Sequence, residues 1–238
     1  MSDIHMVGQV KIDFYTDPLC CWSWALERHW RKLLETFPEE IRYEYVLCGM
    51  IPDWQTYNDP MNSVTKPMQM GPVWMHASQV TQVKMKYSIW HDDPPSSSYP
   101  ASIAIKTVAL QSKAAADDYL FQTRKCLMEE GVNISKRDVL MSIASKLKFD
   151  DFNYLQFEED FRLEKGKDLF RADLQKARFY NIGRYPTLTM KNAEGKGIMI
   201  VGYRPFESLV EAYKQVQLSM KDYHLQNDDW SEASRNSA

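Results

Sequence analysis

The residues best suited to chemistry lie in one short run, Asp17-Pro18-Leu19-Cys20-Cys21-Trp22-Ser23-Trp24. Thr16-Asp17-Pro18-Leu19 breaks an extended segment, and apolar residues at helical spacing follow at once: Trp22, Leu26, Trp30, Leu33 and Leu34. The spacing predicts a helix from Cys20 to about Phe37. Cys20 then stands at its first turn, where backbone N–H groups lack partners and the helix dipole is positive. Such a setting favours thiolate over thiol, and the thiolate is the nucleophile. Ser23 falls three residues on, beside Cys20 on the helix surface, with a hydroxyl able to donate to the sulfur. Cys20 is the candidate catalytic thiol and Ser23 its candidate partner.

The remaining thiols and imidazoles read differently. Cys21 points about 100° away from Cys20 round the helix, which makes it a packing residue. A Cys20–Cys21 disulfide would close a strained ring and is not expected. Cys48, after a strand, and Cys126, on a helix stripe with Tyr119 and Thr123, read as small core residues. His29 lies nine steps of about 100° from Cys20, on the opposite side of the helix, and is a poor base for it. His76 and His91 fall in the middle of the chain, where spacing alone neither brings them to Cys20 nor keeps them away. Asp13 reads equally as a carboxylate that tunes the thiol or as a solvent-facing strand residue. No Cys/His spacing suits zinc, and no metal site is expected.

The elements that position this run come in a legible order. Val10-Lys11-Ile12-Asp13-Phe14-Tyr15 alternates as a strand, and Arg42-Tyr43-Glu44-Tyr45-Val46-Leu47 is a second, aromatic and branched. Strand, helix, strand makes a crossover unit. Residues 50–98 are rich in Pro and Met with scattered Trp and read as irregular; Trp54, Met68, Met70, Trp74, Met75 and Trp90 there form either a groove lining or a local core. Helical periodicity follows at 101–110, 114–130, 136–147, 152–163 and 167–181, with Gly131 as a stop signal and Asp150-Asp151 as a start. Thr187-Leu188-Thr189-Met190 and Ile198-Met199-Ile200-Val201 form a hairpin about the turn at 192–197. Phe206, Leu209, Val210, Tyr213 and Val216 stripe a last helix with Pro205 at its first turn.

The fold class is therefore α/β. A small mixed sheet, β-α-β followed by β-β-α, is interrupted by a large all-helical insertion. The expected boundaries are 9–50 with 182–220 for the discontinuous sheet domain and 51–181 for the insertion, with a polar, disordered tail over 221–238.

Composition narrows the function. In 238 residues the net charge is -3, so no basic face for nucleic acid is expected. No apolar stretch approaches bilayer length, and no N-terminal run has the pattern of a signal peptide. Four irregularly spaced cysteines make no disulfide framework, which predicts free thiols in a reducing cytoplasm.

The Cys20 run resembles the Asp-Pro-x-Cys-x-x-Cys-Trp opening of DsbA-like thioredoxin-fold proteins, especially their cytosolic FrnE-like and YjbH-like branch. Ser23 stands where that motif has its second cysteine. Gly183-Arg184-Tyr185-Pro186-Thr187-Leu188 resembles the family's cis-proline loop, and Val201-Gly202-Tyr203-Arg204-Pro205-Phe206 resembles the branch's ending. The resemblance spans roughly 9–218. It implies a thioredoxin-like fold, and it implies that Tyr185 and Pro186, with Trp22 and Cys21, bind an extended thiol partner or glutathione by strand-like pairing.

A second motif cysteine resolves the mixed disulfide that the first one forms, so its loss removes the internal resolving step. The leading expectation is a thiol-disulfide oxidoreductase or isomerase working through Cys20 alone. It exchanges with protein thiols and disulfides or with glutathione as co-substrate, and holds no tightly bound cofactor. One alternative is an adaptor of the YjbH-like type, which binds a protein partner without turnover. The other is a glutathione-dependent transferase or isomerase. Kappa-class enzymes have a Ser-Pro-x-Ser-Trp opening similar to this run, with Cys20 in place of the serine that contacts the glutathione sulfur.

Overall fold

Alternation sets the first strand, β1 (Val10–Thr16), but only Lys11 of it is exposed. The reason is its place in the sheet: the order is β2-β1-β3-β4, so β1 is internal and covered on both faces. Helix α1 (Cys21–Thr36) follows, then β2 (Ile41–Leu47), β3 (Thr187–Lys191) and β4 (Gly197–Val201). The four strands make a mixed sheet in which β3 and β4 pair antiparallel, Thr187 opposite Val201 and Lys191 opposite Gly197. This computed structural model describes residues 9–218. The tail expected over 221–238 lies outside the described residues.

The helical block starts earlier than periodicity implied. Residues 50–98 are not all irregular: α2 (Met70–Thr81) and α3 (Ile89–Asp92) lie within them. Gly71 and Pro72 sit in the first turn of α2, where proline is tolerated, and Met70, Trp74, Ala77 and Thr81 form its buried stripe. Then come α4 (Tyr99–Ala109), α5 (Lys113–Met128), α6 (Arg137–Ala144), α7 (Tyr154–Arg162) and α8 (Lys167–Phe179). Ser112 caps α5 by accepting from the Ala115 N–H at 3.1 Å. Asn153, rather than Asp150 or Asp151, caps α7 by accepting from Gln156 N–H. Gly131 ends α5 with φ 71°, in the left-handed region that glycine enters without strain. Residues 206–218 are helical and form the described part of α9.

The chain divides into two compact units, whose boundaries fall inside β1, α1 and β2. Among the described residues, one contains 9–14, 26–45 and 186–218; the other contains 15–25 and 46–185. The first has an apolar core of Val10, Ile12, Phe14, Trp30, Leu33, Leu188, Met190, Leu209 and Tyr213. Phe14 and Trp30 meet edge to face with centroids 5.4 Å apart, and the Trp30 indole donates to the Tyr45 hydroxyl at 2.8 Å. The second unit holds the helical block together with the Cys20 segment. Among the described residues no helix is long and apolar enough to cross a membrane.

Candidate functional site

Asp17 builds the turn that presents Cys20. Its Oδ1 accepts from the Leu19 N–H at 2.9 Å, and its backbone carbonyl accepts from the Cys20 N–H at 3.1 Å. Its Oδ2 accepts from the Met50 N–H at 2.7 Å, tying the turn to the segment after β2. Asp17 is wholly buried. Burial raises its carboxyl above the ordinary value, opposed by the Met50 and Leu19 N–H groups, Ser98 and the Arg124 guanidinium.

Cys20 is the residue that starts the helix rather than a member of it. Its carbonyl accepts from the Trp24 N–H at 3.1 Å, and its Sγ accepts from the Ser23 N–H at 3.4 Å. That is the capping role, filled by sulfur. The thiol in turn donates to the Tyr185 carbonyl at 3.6 Å. The helix start was expected to lower this thiol. Instead burial, at 4% exposure, pushes it above its ordinary value, and Ser23 and Arg124 offset only part of the shift. Ser23 opposes that shift first through its side chain and then through its backbone N–H.

Two further residues interact electrostatically with Cys20 and have no signature in the motif. Arg124 is fully buried on α5 and donates to Thr16 Oγ1. Its charge lowers both Asp17 and Cys20. The signal was present: 124 falls on the same stripe as Leu120, Thr123 and Leu127, where a charge is unexpected. Tyr57 is half-buried, and its phenol is pushed up by burial and by Asp59, Asp17, Cys20 and Cys21. It comes from the stretch read as irregular, and nothing in its spacing pointed here.

The other expected site residues are distributed as follows. Cys21 is buried, and burial raises its thiol well above the ordinary value. Trp22 packs edge to face on His76 of α2, centroids 5.9 Å apart, so His76 does come to this segment; His91 is exposed and pairs with Asp92. Tyr185 brings its carbonyl to Cys20, while burial and then Cys48 raise its phenol. Pro186 is buried just before β3, and its carbonyl accepts from the Gly202 N–H at 2.8 Å. His29 bonds to the Tyr203 hydroxyl at 2.9 Å, in the other unit from Cys20. Cys48 is a core residue, whereas Cys126 is partly exposed. No cluster of metal-ligating side chains occurs among the described residues.

The arrangement is a buried thiol between one N–H donor and one carbonyl acceptor, with serine rather than a second sulfur three positions on. A helix-start cysteine before a Tyr-Pro loop is the arrangement of the thioredoxin class. The family model described as thioredoxin matches residues 14–211, and the chain belongs to that family. Its fold is DsbA-like. A putative protein disulfide isomerase from Nitrosomonas europaea superposes with a TM-score of 0.67 at 15% identity, covering 92% of this chain and 98% of that one. The cytosolic disulfide reductase DsbM from Pseudomonas aeruginosa gives a TM-score of 0.64 at 13% identity, covering 91% and 99%. In sequence, the ClpXP adapter protein SpxH of Halalkalibacterium halodurans is 26% identical over 204 residues, 85% of this chain. The match spans 66% of that relative's length.

Proposed function

We propose that this protein is a binding adaptor, which holds a client protein and presents it to ClpXP, rather than an enzyme that turns over disulfides. The observation that carries this reading is the state of Cys20: a buried thiol, raised by burial and bonded to the Tyr185 carbonyl, with Ser23 where a resolving thiol would stand. Exchange requires a thiolate that a client sulfur can reach and a second thiol to release the product. The relatives named ClpXP adapters supply the direction. Four free thiols and the cytosolic disulfide reductase among the structural neighbours support a cytoplasmic setting.

A second reading keeps turnover. Sγ sits at the helix start with the Tyr185 carbonyl facing it, a place where a client backbone could replace that bond. Cys20 would then attack a client disulfide, one client thiolate would leave, and reduced glutathione would release the mixed disulfide.

The test compares the protein with its Cys20→Ser variant in two assays. Neither is expected to reduce insulin in the presence of glutathione. Both are expected to accelerate degradation by purified ClpXP of the same captured client. Insulin reduction by the native protein that disappears in Cys20→Ser would overturn the adaptor reading and leave exchange.

A further inference from the structure

The most exposed large apolar side chain among the described residues is not near a pocket but at the end of α8. Phe179 is 81% exposed and its neighbour Tyr180 is 40% exposed, and the two rings meet edge to face with centroids 5.0 Å apart. Exposed aromatics on loose chain would carry little meaning. Here the turn is closed by its own backbone: Tyr180 N–H donates to the Lys176 carbonyl, Asn181 N–H to Arg178, and Ile182 N–H to Ala177. Asn181, at φ 52°, takes the left-handed conformation that ends the helix. The rings are held out in one geometry, so a partner that covers them loses little conformational freedom in the protein.

Charge says what kind of partner fits. The last turn of α8 is basic, with Lys176 and Arg178, and residues 174–185 contain no carboxylate, against a net charge of -3 overall. Arg178 is exposed, directly beside Phe179. A cation is expected at a helix C-terminus for its own sake. That need is reduced here, because the last carbonyls already accept from the turn, and it does not account for a phenyl ring left in water. Aromatic residues with arginine on a rigid turn are the composition of an interface hot spot.

The geometry points to the Phe179–Tyr180 turn as a docking site for an acidic segment of a partner protein, with an apolar side chain covering Phe179 and carboxylates meeting Arg178. This docking site does not depend on the adaptor reading.

The probe is a fluorescently labelled synthetic peptide of Asp, Glu and Leu, its binding to the full chain followed by anisotropy without ClpXP or client. The native protein is expected to bind it more tightly than the same peptide with Lys for the acids, with affinity falling as salt rises. Phe179→Ala is expected to weaken binding about thirtyfold. Arg178→Glu is expected to lower it about tenfold and flatten the salt dependence. Leu155→Ala, which removes a 71% exposed side chain from α7, should leave it unchanged. Both turn residues are exposed, and circular dichroism checks that the variants fold. Equal binding of the Lys peptide, no loss in Phe179→Ala and Arg178→Glu, or an equal loss in Leu155→Ala would overturn the proposal. Because no ClpXP is present, its failure is distinct from failure of the adaptor reading.

Discussion

The two units spend their burial in opposite ways. Around the sheet, the buried cluster under β1 and α1 is large and apolar, with Asp13 and Glu27 the buried carboxylates beside it, and Trp30 finds Tyr45 for its single donor. Around Cys20, the buried groups are Thr16, Asp17, Ser23, Ser98 and Arg124, each with something to lose on leaving water. The difference teaches that the Cys20 pocket is not merely more core. Its polar groups hold a turn in shape around a buried thiol.

Substitutions can break or sharpen that contrast. Trp30→Ala should cost about 3–5 kcal/mol in urea unfolding, by opening a cavity beside Phe14 and Tyr45. Arg124→Met, which keeps volume and removes charge, should still cost about 3 kcal/mol, because Thr16 loses its donor and Asp17 a compensating charge. An Arg124→Met protein as stable as the native one would mean the polar pocket is no more exacting than the apolar core. Ser23→Ala should raise the Cys20 thiol further, since the Ser23 side chain opposes the shift that burial causes. Alkylation of Cys20 followed against pH checks this, and an unchanged profile would remove the side chain from that role.

The smallest effect is a pH dependence. The Cys20 thiol is raised in the folded chain above its ordinary value, so the unfolded chain ionises first as pH rises. Its contribution is therefore fully present below about 9 and is lost as pH climbs through the folded value. Cys21 and Cys48 act in the same direction. Melting temperature should fall from pH 8 to 10, and Cys20→Ser should shallow that fall; an unchanged slope would remove Cys20 from that dependence.

Local signals carried most of the fold. Alternation, helical spacing and turn residues placed all four strands and α1 and α4 to α9 to within a few residues, because each of those signals acts over one or two turns of chain. They failed at α2, where proline and methionine read as irregular although the buried stripe of Trp74, Ala77 and Thr81 makes a helix. Of the candidate site, Cys20 and Ser23 were legible from the strand-to-helix turn, whereas Tyr185 entered only through the resemblance of its loop to that of the family.

What the sequence determined by itself was which sulfur starts a helix and that Ser23, not a second cysteine, follows it. Only the tertiary structure decided how deeply that sulfur is buried. The helix start alone would favour the thiolate, but burial opposes it, and the Arg124 charge and the Tyr185 carbonyl that act on Cys20 come from segments far along the chain. Desolvation depends on what packs around a group, and no local spacing records that.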